Sequence, residues 1–185
     1  LGLTLGLMGA AVPATAAQAA TSTAAGVLAP TVTTRGATVH GTTMTAVTTA
    51  ARRTTALSMA ARVAGIRATA VRIARSRVGS GYSAGAAGPH WFDCSGLALY
   101  VVRLATGRNL PHYSRAQFAA TARVSRKNLK PGDLVFFFGR GAHHVGIYIG
   151  NGLMVNATSP RGGVRIDAVF SGWYGSRYSG AGRLL

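Results

Sequence analysis

The sequence predicts an α+β domain, with N-terminal helices packed on a small antiparallel sheet, set behind a thin leading stretch. Three observations carry this. Every Trp, Tyr and Phe, and all three acidic residues, lie beyond Ile66 in the 185-residue chain. From Ile66 to about Arg123 apolar residues recur at helical spacing. From Asp133 onward, short runs of β-forming residues alternate with turn signals. Helical patterns first and hairpin-linked strands second give the α+β order rather than alternating βαβ units.

The elements follow in chain order. Residues 1–19 (LGLTLGLMGAAVPATAAQA) read as a truncated signal-peptide-like segment. Leu1 to Val12 is a short apolar run, Pro13 breaks it, and Ala17-Gln18-Ala19 or Ala14-Thr15-Ala16 offers a small-residue cleavage site. The run falls short of the ~20 apolar residues that span a bilayer. Its basic flank and initiator Met are missing, so the segment is expected to be the remainder of an export signal. Residues 20–65 are dominated by Ala and Thr and offer few large apolar groups to offset chain entropy. A flexible linker is expected there, with 52–64 either a basic helix or, as the many Thr favour, a solvated tether.

Residues 66–185 are the expected folded unit. A helix over 66–78 is indicated by Ile66, Ala70, Ile73, Ala74 and Val78. A loop rich in turn residues follows, through Gly79, Gly81, Gly85 and Gly88-Pro89. Ser95 to Thr106 is a second helical pattern, with Leu97, Val101 and Leu104 on one face and Gly107 as its stop. Ser114 to Arg123 is a third, with Ser114 placed to cap it. Strands are expected at Asp133–Phe138 after the Pro131-Gly132 turn, at His144–Ile149, at Leu153–Ala157 after an Asn151-Gly152 hairpin, and at Gly163–Ile166.

Composition removes several function classes. Twenty Lys and Arg face three acids, for a formal net charge of +17. Asp93, Asp133 and Asp167 are the only side-chain carboxylates. Paired-carboxylate glycosidases and carboxylate-rich calcium or two-metal sites need several acidic oxygens close together, so both are disfavoured. One cysteine excludes an intramolecular disulfide, a Cys-rich zinc site and an iron–sulfur cluster. No cofactor or metal is called for.

Cys94 lies in Phe92-Asp93-Cys94-Ser95-Gly96-Leu97, after a loop and at the first turn of a helix, where N–H groups favour a thiolate. A small buried core cysteine is the competing reading. His144, opening an apolar strand, decides between them, because a cysteine nucleophile needs a base within hydrogen-bond reach. Asn156, on the strand after the hairpin, is placed to orient the imidazole, or else to satisfy strand-end backbone groups. Cys, His and Asn in this order follow the logic of a cysteine peptidase. His143 faces away from His144 by strand alternation and reads as a rim residue. A zinc site from His90, His112, His143 and His144 lacks ligand spacing.

The chain from about Ala70 to Leu184 resembles the NlpC/p60 family of cell-wall cysteine peptidases. The resemblance rests on Phe92–Leu97, Leu110-Pro111, Leu129–Phe137 and His144–Gly152, four motifs in the family's order and spacing. It implies a papain-like fold, with Cys94 as nucleophile, His144 as base and Asn156 at the third catalytic position, where the family often has His. Tyr82 falls on the family's cleft tyrosine, with Gly85 kept and Ala86 replacing a glycine. Tyr82, Asp93 and Ser95 are the implied substrate-binding residues. Trp91 replaces a commonly small residue and either shapes the cleft or packs the loop. The implied reaction is hydrolysis of peptidoglycan stem peptides between D-glutamate, through its side-chain carboxyl, and a diamino acid. Another papain-like wall amidase and a non-catalytic basic wall-binding protein are the alternatives. Arg115 and Arg161 read as surface charge. The basic balance suits anionic cell-wall polymers, no specific nucleic acid partner is indicated, and a secreted or wall-associated monomer is expected.

Overall fold

A computed structural model of the chain describes residues 42–139 and 143–184. The signal-like segment and the first part of the expected linker lie outside the described residues. Among the described residues four α-helices, a 3-10 turn at Arg126–Asn128 and eight strands follow one another, beginning with α1 (Thr42–Arg75). Next come β1 (Gly81–Tyr82), β2 (Trp91–Phe92), α2 (Cys94–Thr106) and α3 (Ser114–Ala119). The remainder is β3 (Ala122–Val124), β4 (Leu134–Phe137), β5 (His144–Gly150), β6 (Leu153–Ala157), β7 (Val164–Ala168), α4 (Gly172–Gly175) and β8 (Tyr178–Arg183).

The main sheet has six strands in the order β3-β8-β4-β5-β6-β7, and every neighbouring pair is antiparallel. The two-residue strands β1 and β2 pair in parallel beside it. Alternation along β4 explains its unbroken apolar run. Leu134 and Phe136 point into a core with Ile73 and Ala74 of α1 and Leu97 and Val101 of α2. Val135 and Phe137 point the other way, onto Met154, Val169, Tyr174 and Ala181. The β5–β6 turn is made by Asn151 and Gly152, both at positive φ (52° and 72°), as the Asn-Gly pair requires.

Four expectations are corrected. The helix expected over 66–78 is one continuous helix, Thr42–Arg75, so residues 52–64, for which a solvated tether was favoured over a basic helix, are helical. Ala, Arg, Leu and Met favour the helix, and the Thr54 and Thr55 hydroxyls donate back to the Ala50 and Ala51 carbonyls instead of competing with it. Contact with the rest of the domain begins near Val63, while residues 48–62 are exposed. Val78 lies beyond the helix and is exposed, because the chain turns off to bond Gly79 N–H to the Val164 carbonyl. On α2 the buried stripe runs through Leu97, Ala98, Val101 and Val102, leaving Leu104 in solvent. Finally, α3 stops at Ala119, and residues 122–124 become β3 because β8, which carries no strong strand pattern, supplies a partner.

Candidate active site

Asp93 starts α2. It adopts extended backbone (φ −92°, ψ 177°), and its Oδ1 accepts from the Gly96 N–H at 2.6 Å, the geometry of a helix N-cap. The same carboxylate accepts from the Ser95 hydroxyl (2.9 Å), from the Gly85 N–H (2.8 Å) and from His112 Nε2, 3.0 Å from both oxygens. Cys94 is thereby fixed as the first residue of the helix. Gly96 is required there, since a Cβ would overlap the Ala86 carbonyl oxygen and stand 2.8 Å from His112 Nε2. Gln117 of α3 clamps the turn from behind, its Nε2 donating to the Ser95 and Pro111 carbonyls at 2.8 Å each.

The facing end belongs to β5 and β6. His144 is buried at the start of β5, and the N–H of the next residue, Val145, reaches the Cys94 thiol. His144 Nε2 donates to Asn156 Oδ1 at 2.8 Å, which leaves Nδ1 as the nitrogen free to take a proton. Gly146 lets the two strands carry this pair: a Cβ there would lie 2.6 Å from Met154 Sδ and 3.2 Å from Asn156 Cβ. Tyr174 stacks on the imidazole (centroids 5.1 Å apart, planes at 18°) and donates its hydroxyl to Asn156 Oδ1 at 2.9 Å. Phe137 closes another side at 5.9 Å. The Asn156 amide nitrogen donates to Asp167 Oδ2 (3.0 Å) and to the Arg165 carbonyl (3.4 Å), and Arg165 Nε holds Asp167 at 2.9 Å.

These surroundings set the protonation states. Burial pushes the Cys94 thiol above its ordinary value; the Val145, Ser95 and Cys94 N–H groups pull it back, while the Asp93 charge adds to the rise. Burial also drives His144 below its ordinary value, against the Asn156 bond and the Asp167 charge. Both shifts favour the uncharged forms, a thiol and a neutral imidazole, so burial outweighs the N–H groups from which a thiolate was expected. Asp93 is held below its ordinary value, because its Gly96, His112, Ser95 and Gly85 donors outweigh its burial. Tyr174 is pushed up to about 12, by burial first and by Asp167 next, so it stays a donor.

Tyr82 stands beside Cys94 and Asp93, and burial with both of those neighbours raises its hydroxyl pKa. Asp93 and Ser95 flank Cys94, but the Ser95 side chain is turned inward onto Asp93. Trp91 is 58% exposed and lies over Gly81, where a Cβ would strike its ring. His90, His143, Arg115 and Arg161 are exposed. Among the described residues no three of His, Cys, Asp and Glu converge as metal ligands. Reading from the sequence missed Tyr174 and Asp167, and weighed His112 only as a metal ligand. One signal for Asp167 was available: with three acids in the chain, each has cations to spare, and one held near the base is not surface charge.

A cysteine at a helix start, a histidine on the facing strand and an amide acceptor behind it follow the residue order of a thiol-hydrolase site, on a papain-like α+β frame. The chain belongs to the NlpC/P60 family, whose sequence profile matches residues 79–183. It is 47% identical over 112 residues to a protein of Listeria monocytogenes named probable endopeptidase p60, a match covering 60% of this chain and 22% of that one. A probable endopeptidase of Corynebacterium glutamicum is 44% identical over 84 residues, covering 45% of this chain and 39% of the relative. The chain thus spans well under half the length of these curated relatives. Among solved structures, the NlpC/p60 domain of the peptidoglycan hydrolase SagA superposes with a TM-score of 0.58 at 31% identity, covering 64% of this chain and 98% of that one. The peptidoglycan hydrolase RipB of Mycobacterium tuberculosis gives 0.59 at 28% identity, covering 68% and 67%.

Proposed function

We propose that the chain is a secreted or wall-associated peptidoglycan hydrolase, a thiol endopeptidase that cuts stem peptides at the bond between D-glutamate, through its side-chain carboxyl, and the following diamino acid. The observation that carries the reading is the buried His144–Asn156 bond, set on adjacent strands against the Cys94 helix start. In this reading His144 Nδ1 takes the thiol proton as Cys94 Sγ attacks the carbonyl carbon. The tetrahedral oxyanion is stabilised by main-chain N–H groups at Cys94 and Ser95. The imidazolium then protonates the departing amine, and the amide bond breaks to leave a thioester. A water molecule, deprotonated by the same imidazole, releases the carboxylic acid and regenerates the thiol.

Tyr82, Asp93 and Ser95 are the residues proposed to receive the peptide. The cationic exterior is proposed to hold the enzyme on anionic wall polymers, and no specific nucleic acid partner is part of this reading. The test is incubation of the full chain, and of its Cys94→Ala form, with defined muropeptides and identification of the products by mass. Cleavage after D-glutamate that disappears in Cys94→Ala is expected. A cut between sugar and L-alanine would replace the specificity and keep the chemistry. A folded protein that binds sacculi but yields no product would overturn the enzyme reading.

A further inference from the structure

We propose that Asp167 is a positioning residue that fixes the Asn156 amide in one orientation, so that it meets His144 only as an acceptor, and that Tyr174 supports the bond so formed without setting its direction. The proposal rests on the peptidase reading of the site. Asn156 is buried, and its four hydrogen-bond positions are all occupied. Oδ1 accepts from His144 Nε2 and from the Tyr174 hydroxyl; Nδ2 donates to Asp167 Oδ2 and to the Arg165 carbonyl. Rotating the amide by half a turn would set its NH2 against the two donors and its oxygen against the two acceptors.

The four partners do not weigh equally. An imidazole can change tautomer and a hydroxyl can rotate, so neither dictates which way the amide points. A main-chain carbonyl and an ion-paired carboxylate have fixed polarity. Asp167, tied to Arg165 Nε at 2.9 Å, is therefore the side chain that decides, and the order runs outward to inward. The carboxylate draws Nδ2 to itself, Oδ1 then faces His144, the ring carries its proton on Nε2, and Nδ1 is left without one. Tyr174 completes the second lone pair of Oδ1, and its ring, flat on the imidazole, keeps water from the Nε2–Oδ1 bond. Among the described residues Asp167 on β7 acts on His144 directly, Tyr174 on α4 lies on its ring, and Arg165 on β7 and Cys94 on α2 act on that tyrosine.

The experiment compares the full chain with Asp167→Asn, Tyr174→Phe, Asn156→Ala and the Asn156→Ala/Asp167→Asn pair. Two readouts are used: nitrogen NMR of the His144 ring, assigned by its loss in His144→Gln, and the pH profile of kcat on a defined muropeptide. Wild type is expected to show a single tautomer, protonated on Nε2. An Asn at 167 offers either polarity, so Asp167→Asn should show mixed tautomers, with kcat down about tenfold and KM little changed. Its acidic limb should move to lower pH, because the lost charge had favoured the imidazolium. Tyr174→Phe keeps the buried ring, folds without a large change, and should keep the tautomer while losing about threefold in kcat. On the Asn156→Ala background, Asp167→Asn should add nothing to the loss of plateau kcat. A single Nε2–H tautomer with kcat within about twofold of wild type in Asp167→Asn, or full additivity in the pair, would overturn the proposal. If wild type cleaves no muropeptide, the peptidase reading fails, while the ring spectra still decide the orientation.

Discussion

His144 and Cys94 are displaced in opposite directions by the same burial, the imidazole downward and the thiol upward. The sign of the pH dependence follows. In the proposed mechanism turnover needs one proton shared between the two groups, so activity is expected to rise as pH passes the lowered histidine value and to fall only as pH passes the raised thiol value. A wide bell is expected, with its acidic limb below the usual histidine range and its alkaline limb above the usual thiol range. Steady-state kcat/KM across pH, with a pH-stable muropeptide, checks this; a narrow optimum between two ordinary values would contradict it. Stability moves differently. The Asp93 carboxyl sits below its unfolded value, so what it contributes is present above that value and lost as pH falls through the folded one. A buried neutral His144 costs stability as pH drops below the unfolded histidine value, since the unfolded chain then binds a proton that the fold does not. Both effects weaken the domain toward acid.

At the level of elements, α1 divides by what it touches. Residues 48–62 are exposed, whereas Ala70, Ile73 and Ala74 are buried against α2 and the sheet. Ile73→Ala is expected to cost about 2–4 kcal/mol in urea unfolding, and Leu57→Ala, on the exposed stretch, under about 0.5 kcal/mol. What could be read in advance sorts by the same physics. Strands β4, β5 and β6 carry dense apolar runs and an Asn-Gly turn, so they were legible, and with them came His144 and Asn156. The helix start at Cys94 was legible from the loop before it and the apolar spacing after it, whereas Asp93 was read only as a substrate-binding residue and not as the cap it is. By contrast β8, YSGAGR, has two glycines and two small residues and becomes a strand only through bonding to β3 and β4. The end of α3 was misread for the same reason, its partner being invisible in sequence. Tyr174 sits in a one-turn helix, and nothing local to Gly172–Gly175 foretells that its ring lies on His144.

Over the whole molecule the three acids are spent on internal bonds, one at each of three junctions. Asp93 joins α2 to the 85 loop and to His112, and Asp167 joins β7 to β6. Asp133 is buried and binds Arg67 of α1 at 3.0 Å and Arg183 of β8 at 2.8 and 2.7 Å. Asp133→Asn leaves two guanidinium groups without their counter-charge and is expected to cost about 3 kcal/mol, read as a lower urea midpoint with an unchanged slope. Among the described residues the exposed charges are mainly cations, so the basic balance belongs to the surface rather than to the core. The place of β8 also has a bearing on biosynthesis. It is the last strand in chain order, yet it lies inside the sheet, bonded on both sides. A ribosome that has not yet released residues up to Arg183 therefore carries β3 and β4 with open edges and Asp133 with half its partners. The sheet can therefore close only once residues up to Arg183 are free to bridge β3 and β4.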